Sequence, residues 1–234
     1  MKRPILSQEK IDTYHRDGFP VRGLRLTGEK LARLQQLSDE LVERNAEFGD
    51  TPMVCPHLPS GEDIILWGTN LFHKPPGKNT DRGGRRIPFH RDGRYWPIEP
   101  LKTLSVWLAI EGSTAKNGCL QIILNSHRGG QVGEQFTSTD PDDAIPETLR
   151  ESEFDAGDAV RIELEGGQMV LFDVFTIHGS DANASIQRRL GSAIRYMPST
   201  SWFNHDGAQR AGLPSNAHNT WPLFPDAGGR CLRP

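Results

Sequence analysis

The sequence predicts a mainly β protein, a double-stranded β-helix of the jelly-roll or cupin type with α-helices packed outside it. Short apolar or alternating segments recur between turn signals from about residue 60 to 200, and two helical patterns precede them in residues 7–46. Many short strands joined by turns are typical of antiparallel sandwiches and barrels. A β fold of 234 residues ordinarily forms one domain. We therefore expect a single domain over 1–234, with a C-terminal tail at 200–234.

Two N-terminal segments have helical patterns. Ser7 begins the first, and Gly18 ends it. The second begins after Thr27 and extends to about residue 46, with one apolar stripe formed by Leu31, Leu34, Leu37, Leu41 and Val42. We expect this stripe to pack on the outside of a sheet. Residues 19–21, which include a proline, resemble an edge strand.

The predicted strands follow the helices along the chain. They are 64–67, 71–74, the strand around His90, 103–110, 119–124, 160–164, 169–172 and 190–196. The turn at 116–118 predicts that the strands on either side of it pair, and the turn at 165–167 predicts a second hairpin. The polar segment 128–156 is interpreted as an insertion or cover on the substrate side. The loop 75–84 is a candidate lid.

Charge, cysteine content and hydropathy exclude several classes of protein. The net charge of −3, with both signs mixed, provides no basic field for nucleic acid. The widely spaced Cys55, Cys119 and Cys231 argue against a disulfide framework. The sequence contains no 18-residue apolar run and no signal-peptide pattern, so we expect no membrane partner and a cytoplasmic location.

A metal site is predicted from two distant segments. His90 and Asp92 are two residues apart in a predicted strand, and alternate residues of a strand point to the same face. His178 follows another apolar run. Two histidines and one carboxylate are the facial triad of non-haem Fe(II) oxygenases, which leaves coordination positions open. The alternative for the first pair is a surface strand with solvated polar residues.

A second His-x-Asp sequence shows that this spacing alone is a weak signal. His15 and Asp17 repeat it, but they lie near the end of the first predicted helix. Residues two apart on a helix point in different directions. We therefore do not expect this pair to bind a metal.

Several segments follow one another in an order that points to a known family. They are Lys74–Gly77, Phe89–Trp96, Val106–Ala109, Asn117–Leu120, Ser126–His127, His178–Ser180, Asn183 and Arg189. Together they resemble the phytanoyl-CoA dioxygenase family of Fe(II)/2-oxoglutarate oxygenases, over roughly residues 7–200. The resemblance implies that His90, Asp92 and His178 hold Fe(II), and that 2-oxoglutarate and O2 take the open positions. It also implies hydroxylation of a small molecule, with release of succinate and CO2.

The same resemblance implies the residues that bind 2-oxoglutarate. Arg189 matches the family arginine that pairs with the distal carboxylate, which a guanidinium can hold bidentately. Arg188 is the alternative, on the other side of the strand. Ser180 could add a hydroxyl hydrogen bond, and Lys74 matches a family lysine near the cosubstrate, with a solvated loop lysine as its alternative. Trp96 could line the iron pocket or belong to the core.

Some functional questions stay open at this level. Five arginines crowd around the metal motif and could hold an anionic substrate, or could simply be solvated: Arg82, Arg85, Arg86, Arg91 and Arg94. Two other functions also fit the residues. One is a metalloenzyme that uses the triad with Mn or Zn and without 2-oxoglutarate, and the other is a non-catalytic ligand-binding barrel.

Overall fold

A computed structural model describes residues 7–18, 25–44, 53–55, 64–77, 84–130 and 132–204. The two helices are α1 (Gln8–Asp17) and α2 (Gly28–Arg44). The strands are β1 (Met53–Cys55), β2 (Ile64–Lys74), β3 (Ile87–His90), β4 (Ile98–Glu99), β5 (Leu104–Ala109), β6 (Leu120–Ile123), β7 (Gln135–Thr137), β8 (Glu147–Leu149), β9 (Ala159–Ile162), β10 (Met169–Asp173), β11 (His178–Ser180), β12 (Arg189–Pro198) and β13 (Trp202–Phe203). The predicted edge strand at 19–21, most of the predicted lid and the tail beyond 204 lie outside the described residues.

Two antiparallel sheets form the barrel. One has the strand order β1-β2-β12-β5-β10 and the other β3-β11-β6-β9. Apolar side chains of both sheets meet in one buried cluster between them: Trp107, Ala109, Leu120, Ile122, Ile162, Leu164, Val170, Phe172 and Ala193. Face-to-face packing of two antiparallel sheets is the jelly-roll arrangement. The predicted fold class is therefore confirmed, while the assignment of the whole chain to one domain stays a prediction.

Both predicted strand pairings are wrong. β5 pairs with β10 and β12, whereas β6 pairs with β9 and β11. The turns at 116–118 and 165–167 carry the chain from one sheet to the other, so β9 and β10 also lie in different sheets. As a result, Leu120 and Ile122 pack face to face with Trp107 instead of lying beside it. The two candidate strands at 64–67 and 71–74 form one continuous strand, β2.

Helix α2 covers the outer face of the five-stranded sheet, as the sequence predicts. Leu34 and Val42 pack against a cluster of buried residues formed by Leu71, Ile110 and Leu190. Leu37 does not share in this packing, because 44% of it is exposed. The helical stripe is therefore narrower than the one predicted.

Asn117 holds the turn between β5 and β6. Its Oδ1 accepts the Thr114 N–H at 2.7 Å, and its Nδ2 donates to the carbonyls of Gly112 at 2.9 Å and Arg188 at 3.4 Å. The following Gly118 has a φ of 78°, in the left-handed region that glycine adopts without strain. The prediction that Asn117 and Gly118 serve a turn is confirmed.

Substitution of Asn117 by alanine should destabilise the fold. The side chain is 2% exposed, and its loss removes three part-buried hydrogen bonds to backbone groups, at about 1–1.5 kcal/mol each. We expect the free energy of unfolding in urea to fall by about 2–4 kcal/mol. The exposed neighbour Lys116 is the control, and Lys116→Ala should change stability by less than about 0.5 kcal/mol. Equal losses in the two variants would contradict this role for Asn117.

The segment 128–156 covers the outer face of the four-stranded sheet. It contains the hairpin of β7 and β8, and its Leu149 and Phe154 pack with Phe89, Ile123 and Ile177. Phe89 precedes His90 on β3, so the two side chains point to opposite faces of the sheet. The segment is a cover, as predicted, but it lies on the side of the sheet away from the metal motif.

The arginines around the metal motif bind this cover. Arg86 pairs with Asp143 at 2.5 Å and with Asp140 at 2.8 Å. Arg91 pairs with Glu153 of the cover at 3.9 Å, and its Nε donates to the Phe175 carbonyl beside it at 3.0 Å. Arg85 donates to the Asp143 carbonyl at 3.0 Å. The Arg86 side chain remains 49% exposed, so the alternative of outward-facing, solvated side chains describes part of its environment. An anion site at these arginines stays a prediction, and Arg82 lies outside the described residues.

Candidate metal centre

His90 and His178 come together because β3 and β11 are neighbours. The two residues are direct partners in the antiparallel pairing of these strands. β3 ends at His90, and Asp92 begins a 3-10 turn, so the predicted strand through Asp92 is wrong. Arg91 is nevertheless extended, with φ −117° and ψ 131°, which keeps Asp92 on the same side as His90. One ligand atom from each of the three side chains lies within 4.8 Å of the others.

The two imidazoles are oriented by their own backbone. His90 Nδ1 lies 2.8 Å from the Pro88 carbonyl, and His178 Nδ1 lies 3.0 Å from the Thr176 carbonyl. Because a carbonyl oxygen can only accept, each Nδ1 carries a proton and donates it. The Nε2 lone pairs are then free to bind a metal, the usual arrangement of ligating histidines. Burial, together with the adjacent His90, lowers the pKa of His178 to about 4. His178 is therefore neutral at pH 7, as metal ligation requires.

The Asp92 carboxylate stands between the imidazoles and a buried arginine. Its Oδ1 is 3.6 Å from His90 Nε2 and 3.8 Å from His178 Nε2. Its Oδ2 accepts a hydrogen bond from Ser105 Oγ at 3.3 Å and lies 3.5 Å from Arg195 Nε. Burial alone would raise the pKa of Asp92, but Arg195 and the two imidazoles outweigh it and hold the pKa below its usual range. The carboxylate is therefore ionised and able to bind a cation.

Arg189 has the properties expected of a residue that binds an anionic ligand. It is 1% exposed, and its guanidinium carbon lies 4.9 Å from the centre of the Trp107 ring. Burial lowers its pKa to about 10, so it is still charged at pH 7. Among the described residues, neither its Nε nor its Nη2 has a hydrogen-bond partner. A buried charge without a partner is costly, and a carboxylate ligand would remove that cost.

Lys74 and Ser180 lie beside this arginine. Lys74 is the register partner of Arg189 on β2, and its Nζ donates to Ser180 Oγ at 2.8 Å and to the Asp181 carbonyl at 2.5 Å. Lys74 is 2% exposed, so the alternative of a solvated loop lysine is wrong. Arg188 faces the other way, where its Nη2 pairs with Glu111 and Asp39, each at 2.6 Å.

Trp96 connects the core to the metal centre. Its ring packs edge-on against Trp67, with 4.5 Å between centroids, and the Arg195 guanidinium lies over it at 5.0 Å. Its packing against the cluster of Trp67, Ile98 and Met197 supports the core alternative, and a role in lining the iron pocket stays a prediction. Arg195, Ser105 and Asn70 were not identified from the sequence. The signal for Arg195 was available, because it is six residues after Arg189 and alternate residues of a strand share one face.

The buried donor set fits the metal and cosubstrate that the resemblance implies. His90, Asp92 and His178 supply two nitrogens and one oxygen, the ligand set of a non-haem ferrous site. Arg189 supplies a buried cation for a carboxylate, with two nitrogens that have no hydrogen-bond partner in the described part of the chain. No other group of three or more histidine, cysteine or acidic side chains with this proximity occurs in the described part of the chain.

Comparison with known proteins agrees with this fit. Residues 58–191 match the family model of phytanoyl-CoA dioxygenase (PhyH). The chain is 29% identical over 153 residues to a phytanoyl-CoA dioxygenase of Arabidopsis thaliana, covering 64% of this chain and 51% of that protein. It is 29% identical over 128 residues to the peroxisomal phytanoyl-CoA dioxygenase of Homo sapiens, covering 53% and 36%. The chain spans about half the length of the curated relatives it matches, or less.

A solved structure shares the fold. The epimerase SnoN, in complex with Fe3+, alpha ketoglutarate and nogalamycin RO, aligns with a TM-score of 0.65 at 16% identity, covering 97% of this chain and 93% of that chain. None of the helices described here is long and apolar enough to cross a bilayer. One relative is peroxisomal by name, so the cytoplasmic location stays a prediction. Because the family model matches more than half of its residues, this chain belongs to the phytanoyl-CoA dioxygenase family of Fe(II)/2-oxoglutarate oxygenases.

Proposed function

We propose that this chain is an Fe(II)/2-oxoglutarate-dependent dioxygenase that hydroxylates a C–H bond of a small metabolite. One observation carries the proposal. A buried cluster of His90, Asp92 and His178 lies in the same barrel interior as Arg189. Two nitrogens of this buried guanidinium have no hydrogen-bond partner within the described ranges of the chain. The first group suits a ferrous ion, and the second suits the distal carboxylate of 2-oxoglutarate.

In this proposal the chain's own residues hold and orient the reactants. His90 and His178 present their Nε2 atoms, and Asp92 presents one charged oxygen. When bound, iron and 2-oxoglutarate supply the activation of O2, with release of succinate and CO2. The backbone carbonyls of Pro88 and Thr176 fix the imidazole rings, so the ligand atoms are in position before any metal binds.

Arg189, Lys74 and Ser180 hold the cosubstrate in this proposal. Arg189 pairs with its distal carboxylate, and the Ser180 hydroxyl donates to that carboxylate while it accepts from Lys74 Nζ. Trp107 stacks on the guanidinium, which limits the positions that Arg189 can occupy. A rigid cation at one end of the pocket and a metal at the other select a ligand with two acidic ends.

Apolar side chains keep bulk water away from the reacting centre. Phe172 packs against His178 with 4.7 Å between ring centroids, and both are more than nine-tenths buried. A site closed in this way strengthens its electrostatic interactions and protects reactive species from side reactions. Trp96 contributes one more wall on the side of Arg195.

The test is a titration of the protein with Fe(II) and 2-oxoglutarate in the absence of O2. We expect a weak visible metal-to-ligand charge-transfer band that requires both components. Exposure to O2 with a panel of metabolites should then produce succinate, and one compound should raise its rate and appear as a hydroxylated product. Omission of 2-oxoglutarate is the control.

Other outcomes identify the alternatives. Iron-loaded, folded protein without the band would show that the triad serves chemistry independent of 2-oxoglutarate. Binding of iron and 2-oxoglutarate without succinate above the protein-free control would identify a non-catalytic barrel. Succinate formation with a product that is not hydroxylated would keep the oxygenase class and overturn the hydroxylation.

A further inference from the structure

The barrel interior holds more positive than negative charge around the metal centre. Arg189 and Arg195 lie on the same face of β12, which lines the interior. Of the buried carboxylates in the described part of the chain, Asp92 faces this interior and Asp143 lies in the outer cover. A ferrous ion and doubly charged 2-oxoglutarate would cancel each other. Even with Lys74 left aside, the loaded site keeps two arginines against one carboxylate.

Arg195 makes few hydrogen bonds for a buried guanidinium. It is 9% exposed, and its Nη1 donates to Asn70 Oδ1. Its Nε lies 3.5 Å from Asp92 Oδ2 but has no hydrogen-bond partner among the residues the structure describes, and its Nη2 makes no hydrogen bond to them either. A guanidinium has five N–H groups, and buried charged groups normally use them. Most of this donor set is therefore available to a ligand.

The position of Arg195 separates it from the proposed cosubstrate site. Arg189 pairs in register with Lys74 at one end of β12, whereas Arg195 pairs with Ser105 further along the strand. Six residues of strand place their Cα atoms about 20 Å apart. The distal carboxylate of 2-oxoglutarate, paired with Arg189, therefore lies away from Arg195, whose Nε is beside Asp92.

We propose that Arg195, supported by Asn70 and Trp96, binds an anionic group of the substrate, a carboxylate or a phosphonate. The inference rests on the proposed function above and names its substrate class: a small anionic metabolite whose anion lies beside the metal ligands. The planar fork of a guanidinium matches both kinds of anion. Trp96 stacks under its plane and Asn70 anchors one nitrogen, so the remaining donors are held in place.

The simpler interpretation is that Arg195 only neutralises Asp92. That role requires no contact beyond Asp92, and it predicts no preference between a charged compound and its neutral isostere. The two interpretations therefore differ in what the protein binds, and a binding measurement separates them.

The experiment compares matched acids and amides. Isothermal titration calorimetry without O2, on protein loaded with Fe(II) and 2-oxoglutarate, would use straight-chain carboxylic acids from acetate to octanoate, their primary amides, and the corresponding alkylphosphonates. We expect at least one acid or phosphonate to bind about tenfold or more tightly than its neutral twin. Arg195→Gln should reduce this ratio to about twofold, and Arg195→Lys should keep part of it.

Two further variants make the result decisive. Asn70→Asp places a fixed carboxylate beside Arg195 without removing it, and should also abolish the preference. Arg161→Gln removes an arginine that is 57% exposed, and should leave the preference unchanged. Equal binding of acids and amides by the wild type, or a preference that survives both Arg195→Gln and Asn70→Asp, would overturn the proposal. The charge-transfer titration tests the proposed function separately, so failure of either can be recognised.

Discussion

His90→Ala and His178→Ala should each weaken Fe(II) binding by about 100-fold or more and reduce turnover to background. Loss of a residue that only hydrogen-bonds to a metal ligand typically weakens metal binding by about 10–100-fold. Loss of the ligand itself should weaken it more, so about 100-fold is a lower bound. Each variant leaves the pair of Asp92 and Arg195 intact, so its fold should survive. Fe(II) affinity by competition with a chelator and succinate formation measure the two effects.

Asp92→Ala should have a second consequence that the histidine variants lack. It removes the carboxylate 3.5 Å from Arg195 and leaves a buried guanidinium without a counter-charge. Removal of one partner of a buried ion pair typically costs about 3–5 kcal/mol. We therefore expect Asp92→Ala to lose both iron and stability, whereas His90→Ala loses iron with little change in urea unfolding.

The chain offers a matched control in its other His-x-Asp sequence. His15 and Asp17 lie on α1, where Asp17 pairs with Arg16 at 2.8 Å on the protein surface. His15→Ala and Asp17→Ala should leave iron affinity and turnover within about twofold of the wild type, because exposed charge pairs contribute little. Iron binding that survived in His90→Ala, or disappeared in His15→Ala, would contradict the assignment of the metal site.

The metal ligands could be predicted from sequence because their geometry is local. An extended Arg91 places His90 and Asp92 on one side whether or not the strand continues. The wrong end of β3 therefore did not change the predicted ligand pair. The pairing of His178 with His90 is a long-range contact. It was predicted from the resemblance to a family, and spacing along the chain contains no information about it.

The predicted strand pairings were wrong because one turn pattern is compatible with two topologies. A turn such as Lys116–Gly118 suits a hairpin and equally suits a crossover between two sheets. The choice is made by the burial of Leu120 and Ile122 against Trp107, a contact between sheets that no local pattern specifies. Turn residues report that the chain reverses, and tertiary packing decides which sheet the next strand joins.

The arginines also show that a local pattern does not specify which charged groups meet in the folded protein. Arg86 lies near the metal motif in sequence, but its partners Asp140 and Asp143 come from the cover more than fifty residues away. Arg195 was overlooked because it is far from the motif in sequence, although it is adjacent to Asp92 in space. Proximity in sequence therefore did not identify the arginine that lies beside the metal ligands. The strand periodicity of β12 was the more reliable guide.

Arg189→Met should weaken 2-oxoglutarate binding and at the same time stabilise the ligand-free protein. Truncation of one partner of a buried charge pair costs about 2–5 kcal/mol of binding, so we expect the dissociation constant of 2-oxoglutarate to rise roughly 30-fold or more. Without ligand, however, the guanidinium is buried, and its Nε and Nη2 have no hydrogen-bond partner among the residues that the structure describes. Replacement of buried charges by apolar residues of similar volume often stabilises by about 1–4 kcal/mol. Loss of the Trp107 contact offsets part of this gain.

The opposite signs of these two effects make the prediction specific. Thermal unfolding with and without 2-oxoglutarate measures both, because a ligand raises the melting temperature only of a protein that binds it. We expect a higher melting temperature for ligand-free Arg189→Met than for the wild type, and a much smaller rise than that of the wild type when 2-oxoglutarate is added. Arg188→Met is the matched control: it breaks pairs with Glu111 and Asp39, should lower stability by up to about 1 kcal/mol, and should keep the response to 2-oxoglutarate. Loss of iron in Arg189→Met, or a ligand response equal to that of the control, would show that the distal carboxylate is held elsewhere. A different anionic ligand, and not 2-oxoglutarate, would then be expected to pair with the buried guanidinium of Arg189.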